Sequence, residues 1–328
     1  MGIETVLVAG AGALGSLYGH KFIQKKNTWF LANGERKLRL EKEGIFVNGS
    51  HYNIKCLDNS AANSVKPDFI LIAVKYNNLP EVIDQILPFI TKNTIIASVM
   101  NGIDSEEIIR KNTDIAKIIL SVPIGMDAVR DNNSTTYTKE GKIVFNKFDS
   151  VITDKDIEDV KKLFDECNIL SEIASDIDYE MWFKFMINTG VNQVSAILNA
   201  NYGFIQRNSY VKEIMDSLMV EVINIANAKG IHLSKSDINK WYAILDSLGP
   251  EGKTSMCQDM QAGRKTEVEM FSGKIIALGA KYNIDVTINK VLYNLIKAKE
   301  PLRSNRDRDL SEIYNMISEE FSVRGCQN

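Results

Sequence analysis

The chain has 328 residues, which is long enough for two domains, each with its own hydrophobic core. Apolar residues make up 45% of it and charged residues 25%, a composition typical of folded proteins rather than disordered or fibrous ones. A formal net charge of −3 excludes a strongly basic surface for nucleic acid, and no apolar run is long enough to cross a bilayer. The scattered cysteines and the three histidines predict reduced thiols, a cytoplasmic location and no metal site.

The first half alternates short apolar strands with amphipathic helices. A β-branched run over residues 3–9 predicts the first strand, and a helix is expected from there to about residue 26. Asn48-Gly49, between residues 45–47 and 52–55, predicts a hairpin insert. Further elements are predicted at 28–32, 69–74, 94–99 and 115–123 (strands) and at 79–90 (helix). This alternation predicts an α/β domain with a doubly wound parallel sheet covered on both faces.

The second half changes to long helical patterns, predicted at 176–198, 209–229, 236–246 and 266–281. Gly230 follows the second of these in the manner of a C-terminal cap. We therefore place an α/β domain over residues 1–175 and an all-α domain over residues 176–328.

A glycine-rich loop follows the first predicted strand and opens the first predicted helix. Gly10 permits a tight turn, Gly12 lets a pyrophosphate approach the backbone, and Gly15 lets the helix pack closely on the strand. Ala13 and Leu14 begin the helix, whose N-terminus attracts phosphate. In this strand–loop–helix context the motif indicates a Rossmann-type domain that binds a nicotinamide dinucleotide.

The end of the second strand determines the choice of cofactor. An acid there holds a ribose 2′-hydroxyl, whereas an arginine accepts a 2′-phosphate. The chain has Asn33 at this point, with Glu35 and Arg36 just behind it. The absence of an acid at the strand end favours NADP, with Arg36 on the phosphate, while Glu35 leaves NAD open.

A polar stripe runs along the first long helix of the second half. Lys184, Asn188 and Asn192 recur at intervals of four, within about 80° of one face of the helix. In one interpretation the stripe is an exposed edge, with Lys184 extending to water. In the other it faces a cleft, where burial lowers the lysine pKa and suits it to acid–base chemistry.

These features together resemble the ketopantoate reductase (2-dehydropantoate 2-reductase) family over nearly the full length. The motifs that carry the resemblance are G-A-G-A-L-G at 10–15, Ala73-Val74-Lys75, Met100-Asn101-Gly102, Trp182-x-Lys184-x-x-x-Asn188-x-x-x-Asn192, Ser255-Met256-x-Gln258-Asp259 and Arg264-x-Thr266-Glu267.

The resemblance implies a role for each matching position. Lys184 would protonate the keto oxygen of the substrate, and Glu267 would orient the lysine and contact substrate and cofactor. Four residues would bind the substrate: Asn101, Asn188, Asn192 and Ser255. Lys75 and Asn101 would lie at the cofactor cleft.

Two positions depart from the family pattern. The family usually has an arginine near the end of the second strand, where this chain has Asn33 and Arg36 would substitute. A further substrate-binding asparagine is expected where this chain has Tyr202, with Asn201 beside it. Ser255 and Glu267 are also twelve residues apart, about 18 Å along an unbroken helix, so we expect a bend, with Gly263 the candidate.

The sequence therefore predicts NADPH-dependent reduction of a 2-keto acid, most simply 2-dehydropantoate in pantothenate biosynthesis. The alternatives are a D-2-hydroxy-acid dehydrogenase of the same family, working on another 2-keto acid and using NAD, and a non-catalytic NADP-binding redox sensor. We expect no nucleic acid, membrane or metal partner, and the helical domain has apolar positions that would support a homodimer.

Overall fold

An eight-stranded sheet organises the first half of the protein in the computed structural model, which describes residues 2–61 and 64–300. The strands are β1 (Thr5–Ala9), β2 (Asn27–Leu31), β3 (Ile45–Val47), β4 (Ser50–Tyr52), β5 (Cys56–Leu57), β6 (Phe69–Ile72), β7 (Ile95–Ser98), β8 (Lys117–Ile124), β9 (Val129–Asp131), β10 (Ser134–Thr136), β11 (Lys142–Lys147) and β12 (Ser171–Ile173). The helices are α1 (Ala13–Ile23), α2 (Gly34–Glu43), α3 (Leu79–Ile86), α4 (Ser105–Asn112), α5 (Asp154–Glu166), α6 (Ile177–Leu198), α7 (Tyr202–Arg207), α8 (Ser209–Ala228), α9 (Lys235–Ser247), α10 (Ser255–Gln261), α11 (Lys274–Tyr282) and α12 (Thr287–Lys299).

The order of strands in the main sheet is β12-β11-β8-β7-β6-β1-β2-β5. Every neighbouring pair from β5 to β8 is parallel, which confirms the predicted doubly wound Rossmann-type sheet. The winding reverses between β1 and β6, and open α/β sheets bind ligands at the carboxyl ends of the strands flanking such a reversal. Two strands depart from the prediction. β11 runs antiparallel to β8, because the short strands between them replace a crossover helix, and β12, which is parallel to β11, runs in the same reversed direction.

A smaller four-stranded sheet, in the order β4-β3-β10-β9, is attached to the first domain. Its β3–β4 pair is the predicted hairpin: Asn48 and Gly49 both have positive φ, and Ile45 pairs with Tyr52. The second strand of the hairpin begins at Ser50, two residues before the predicted start.

Two predicted helices are shorter than the sequence suggested. The helix predicted at 79–90 ends at Ile86 and continues as a 3-10 turn, because Pro88 cannot donate to the helical ladder. The helix predicted at 266–281 begins as a π-helical turn at Glu269–Gly273 and becomes regular only at Lys274.

The second domain is a bundle of helices around the 22-residue helix α6. This helix packs against α8, α10 and α12, and its Trp182, Phe185 and Met186 lie in the domain's core. The last strand ends at Ile173 and Asp176 caps α6, so we retain residue 175 as our proposed end of the first domain. Gly230 follows α8 with a φ of +84°, as expected of a capping glycine.

Within the described residues, no helix combines the length and the apolar character that a membrane span requires. The same part of the chain contains no group of three or more His, Cys, Asp or Glu side chains suited to hold a metal ion.

Candidate active site

The glycine loop lies at the reversal point, between the ends of β1 and β6. A Cβ on Gly10, where φ is +117°, would meet the Ala73 carbonyl oxygen at 2.5 Å, and a Cβ on Gly15 would meet the Gly10 carbonyl oxygen at 1.8 Å. The fold itself therefore requires these two glycines.

Gly12 differs, because a Cβ there would meet only the Ala73 carbonyl oxygen, at an ordinary contact distance of 3.7 Å. The protein gives no steric reason for glycine at this position, whereas close approach of a ligand to the backbone does. Gly12 also caps α1 without a side-chain hydrogen bond, so the first turn, which includes Ala13 and Leu14, presents backbone amides as a phosphate requires. The loop thus fits a dinucleotide pyrophosphate.

A cavity of about 260 Å³ adjoins the loop at the carboxyl ends of β1, β2 and β6. Its lining includes Gly10, Ala32, Asn33, Arg36 and Val74. Two of the three residues that the sequence analysis weighed for the choice of cofactor, Asn33 and Arg36, thus line one cavity beside the glycine loop.

Lys75 reaches across the cleft to the helical domain. Its ammonium Nζ donates to Asp259 Oδ2 at 2.7 Å, and the other oxygen of Asp259 accepts from Arg264 Nε at 2.8 Å. Asp259 is buried, so it forms a fixed link between the two cations. The sequence analysis included Asp259 only as part of a motif. Nothing in the spacing of that motif predicts a contact with Lys75, which lies 184 positions before Asp259 in the chain.

Asn101 and Glu267 form a second contact across the cleft. Asn101 Nδ2 donates to Glu267 Oε2 at 3.2 Å, and a Cβ on neighbouring Gly102 would meet the Met270 side chain at 2.9 Å. Burial raises the pKa of Glu267, opposed by the hydrogen bond from Asn101 and the charge of Lys75. The carboxyl group of Glu267 therefore lies in a desolvated position between the domains, where the Asn101 amide and the Lys75 charge both favour its ionised form.

Lys184 projects from α6 towards the same glutamate. Burial lowers the pKa of Lys184 from 10.5 to about 8, and the charge of Glu267 acts in the opposite direction. Among the ion pairs of residues 2–61 and 64–300, none includes Lys184, so its ammonium is coupled to Glu267 without a salt bridge. This desolvation favours the cleft interpretation of the polar stripe over the exposed-edge one.

The remaining predicted substrate residues lie on α6 and α10. Asn192 is buried, Asn188 is half-buried and Ser255 is exposed at the first position of α10. Within the described part of the chain, the structure gives no hydrogen bond from these side chains to the Lys184–Glu267 pair, so their roles stay predictions. A 2.5 Å hydrogen bond between Ser195 and Thr254 joins α6 to the start of α10.

The predicted bend lies where the sequence analysis placed it. Helix α10 ends at Gln261, and Gly263 adopts a φ of +63°. The Arg264 amide then donates back to the Asp259 carbonyl oxygen at 2.8 Å, which reverses the chain. Glu267 is thereby carried away from the axis of α10.

Two further findings concern residues that spacing did not assign. Asp104 is buried and accepts from Lys274 Nζ at 2.9 Å and from the Tyr76 hydroxyl at 3.3 Å, a third polar link between the domains. Asn201 caps α7 by accepting from the Phe204 amide at 2.9 Å, so its side-chain oxygen already has a partner.

Comparison with known proteins gives one family over most of the chain. The profile of "Ketopantoate reductase PanE/ApbA" matches residues 6–150, and that of "Ketopantoate reductase PanE/ApbA C terminal" matches residues 176–300. The 2-dehydropantoate 2-reductase of Archaeoglobus fulgidus is 26% identical over 303 residues, covering 92% of this chain and 99% of that protein.

Two solved structures share the fold. One is a ternary structure of D-mandelate dehydrogenase with NADH and anilino(oxo)acetate, with a TM-score of 0.82 and 21% identity. The other is a dimeric ketopantoate reductase from Staphylococcus aureus, with a TM-score of 0.76 and 19% identity. Each covers 90% of this chain and 98% of its own.

Proposed function

This chain belongs to the ketopantoate reductase family and is an oxidoreductase, and we propose that it reduces 2-dehydropantoate to pantoate with NADPH, as a step of pantothenate biosynthesis. The observation that carries the proposal is the desolvated Lys184, coupled to Glu267 in the cleft opposite the glycine loop. The name of the Archaeoglobus fulgidus relative supports the choice of substrate.

Lys184 is the proposed proton donor. Reduction of a ketone places negative charge on its oxygen, and a donor with a pKa near the working pH meets that charge most effectively. With its pKa at about 8, Lys184 holds its proton at neutral pH and releases it more readily than an exposed lysine does. Glu267 keeps the ammonium oriented and balances its charge.

The first domain would hold the cofactor. Gly10, Gly12 and Gly15, with the α1 amides of Ala13 and Leu14, fit the pyrophosphate, and Arg36 is proposed for the 2′-phosphate. Lys75, Asn101 and Glu267 would border the nicotinamide end of the cleft. A reduced nicotinamide bound there supplies a hydride.

The substrate is proposed to bind between Lys184 and the helical domain. Ser255 would donate to the substrate carboxylate, and Asn101, Asn188 and Asn192 would bind its other polar groups. Their amides and hydroxyl are neutral, so they orient an anionic acid without competing with Lys184 for its proton.

A homodimer through the helical domain is proposed on two grounds. The Staphylococcus aureus ketopantoate reductase is described as dimeric. In this chain, the helical domain exposes large apolar side chains, among them Leu198, Phe204, Tyr210, Ile214 and Leu295. In sedimentation equilibrium we expect the wild type to be a dimer and Tyr210→Asp to have a higher dimer dissociation constant. A monomeric wild type would contradict the proposal.

A D-2-hydroxy-acid dehydrogenase that uses NAD is the second candidate. Asn33 stands where the family usually has arginine, and the D-mandelate dehydrogenase structure contains NADH. This candidate keeps the hydride chemistry and the role of Lys184, and changes the substrate side chain and the cofactor.

One screen separates the candidates. Purified protein is assayed with 2-dehydropantoate, phenylglyoxylate, pyruvate and 2-oxoisovalerate, each with NADPH and with NADH, by the absorbance of the reduced nicotinamide. The proposal predicts the highest kcat/KM for 2-dehydropantoate with NADPH. A preference for phenylglyoxylate with NADH supports the second candidate, and no turnover of any 2-keto acid contradicts both.

A further inference from the structure

Three arginines from two parts of the first domain lie close enough for their charges to interact, beside the glycine loop. Arg36 and Arg39 lie three residues apart on α2, and therefore on the same side of that helix. Arg130 belongs to β9 of the small sheet, and its Nη1 donates to Ser16 Oγ at 2.9 Å. Ser16 is fully buried in α1, four positions after Gly12, so this bond holds the Arg130 guanidinium near the start of α1.

No acid neutralises this group among residues 2–61 and 64–300. The ion pairs of the structure include Lys37, on the same helix α2, with Asp58 at 2.7 Å, but none of the three arginines. Burial lowers the pKa of Arg130, and the positive charges of Arg36 and Arg39 lower it further. Cations that are brought together without a counter-charge oppose folding unless an anion binds between them.

The position of the arginines identifies the anion. Arg36 also lines the cavity of about 260 Å³ that opens beside Asn33, at the end of β2. In Rossmann-type domains the adenosine ribose lies at this strand end, and the group that distinguishes NADP from NAD there is a phosphate monoester. An arginine fork matches phosphate oxygens with two parallel hydrogen bonds.

We propose that Arg130, together with Arg36 and Arg39, binds the 2′-phosphate of NADP, which makes the small sheet part of the cofactor-selecting site. This inference rests on the cofactor site of the proposed function and extends it to a residue about one hundred positions beyond β2. It also gives a reason why the family's strand-end arginine can be Asn33 here: Arg130, held beside the start of α1 by Ser16, would supply the missing cation.

The test compares the two cofactors in single-charge variants. Dissociation constants for NADPH and NADH are measured by titration calorimetry for the wild type, Arg130→Gln, Arg130→Lys and Arg39→Gln. Arg207→Gln, which removes one exposed positive charge from the helical domain, is the control. We expect Arg130→Gln to weaken NADPH about 10- to 100-fold, the usual effect of losing a charged hydrogen bond, and to leave NADH within about twofold.

Arg130→Lys should retain part of the NADPH affinity, because the charge remains and the fork is lost. Arg39→Gln changes an exposed side chain that the fold does not depend on, and should weaken NADPH in the same direction by a smaller factor. Titration with 2′-AMP and 5′-AMP provides a readout without catalysis: only 2′-AMP should lose affinity in Arg130→Gln.

Equal weakening of NADPH and NADH binding in Arg130→Gln would overturn the inference. Such a result would mean that Arg130 acts on the pyrophosphate, which both cofactors share, or on the packing of the small sheet on α1. Affinities for NADPH and NADH that both stay unchanged in Arg130→Gln would overturn the inference as well. In both cases a wild type that still reduces a 2-keto acid leaves the proposed function standing. A wild type that binds neither cofactor would refute both.

Discussion

The pH dependence of the reaction tests the assignment of Lys184 most directly. Burial, partly offset by the charge of Glu267, brings the pKa of Lys184 from 10.5 to about 8, a net cost of about 3 kcal/mol for the ammonium form. Below pH 8 the lysine holds the proton that reduction consumes, and above pH 8 it has lost it. We expect kcat/KM for reduction to be level up to about pH 7 and to fall tenfold per pH unit above 8. Oxidation of the hydroxy acid should show the opposite dependence.

Three substitutions separate the contributions to this profile. Lys184→Ala should lower kcat by about 10²–10⁴, the usual range for loss of a general acid, with nearly unchanged cofactor affinity. Lys184→Arg should also be slow and should lose the fall above pH 8, because a guanidinium keeps its proton there. Glu267→Gln removes the charge that raises the pKa of Lys184, so the fall should begin at a lower pH.

The measurement is steady-state reduction from pH 5.5 to 10 with saturating cofactor, with Lys290→Ala as an exposed control lysine in the same domain. The double variant Lys184→Ala/Glu267→Ala should be less impaired than the product of the single effects, since the two residues act as a unit. Near-normal turnover in Lys184→Ala would refute the mechanism. So would a Glu267→Gln variant in which the fall of kcat/KM begins at a higher pH than in the wild type.

Three further predictions concern the first domain. Gly12→Val should abolish cofactor binding, because the side chain would occupy the space of the pyrophosphate, and should keep a native circular dichroism spectrum, because a Cβ there meets only the Ala73 carbonyl oxygen at 3.7 Å. Gly249→Val is the control, since a Cβ at Gly249 would lie in open space. Unchanged cofactor affinity in folded Gly12→Val would remove the dinucleotide assignment. Arg36→Ala should raise the KM for NADPH and hardly change that for NADH, since only NADPH has the 2′-phosphate; equal loss for both cofactors would contradict it. Burial raises the pKa of Glu106 to about 7, above its ordinary 4.5, so the folded protein binds the extra proton and loses stability as the pH rises from 4.5 to 7. In urea unfolding at pH 5 and pH 8, Glu106→Gln should remove this loss, up to about 3 kcal/mol, and an unchanged pH dependence would show that Glu106 ionises freely.

The elements that the sequence predicted well are those with one dominant local signal. The glycine loop, the hairpin turn at Asn48-Gly49 and the bend at Gly263 all depend on backbone conformations that few residues adopt, and all three occur as expected. Helix α6 was predicted because its apolar residues surround a polar stripe of fixed period. Such signals depend only on residues close together in the sequence, so they can be interpreted without the tertiary structure.

The contacts that assemble the cleft carry no such signal. Lys75 and Asp259 are 184 positions apart, Asn101 and Glu267 are 166 apart, and each is an ordinary polar residue in its local context. The role of Arg130 was missed for the same reason, since a lone arginine in a short strand is usually a surface group. Only the packing of the small sheet on α1 brings it to the Ser16 hydroxyl.

In the proposed reaction the first domain binds the hydride donor and the second provides the proton donor. The polar contacts across the cleft explain how these two groups are held in position relative to each other. The hydride belongs to the glycine-loop domain and the proton to Lys184 of α6, so a shift of one domain against the other would separate them. Residues that follow β6 and β7 carry the three links: Lys75 to Asp259, Asn101 to Glu267, and Asp104 to Lys274. Each link ends on the segment from α10 to α11, which also contains Glu267. The position of the glutamate that tunes Lys184 is therefore set by the same strand ends that border the cofactor site, and reactants are aligned best when the groups that hold them share such a frame.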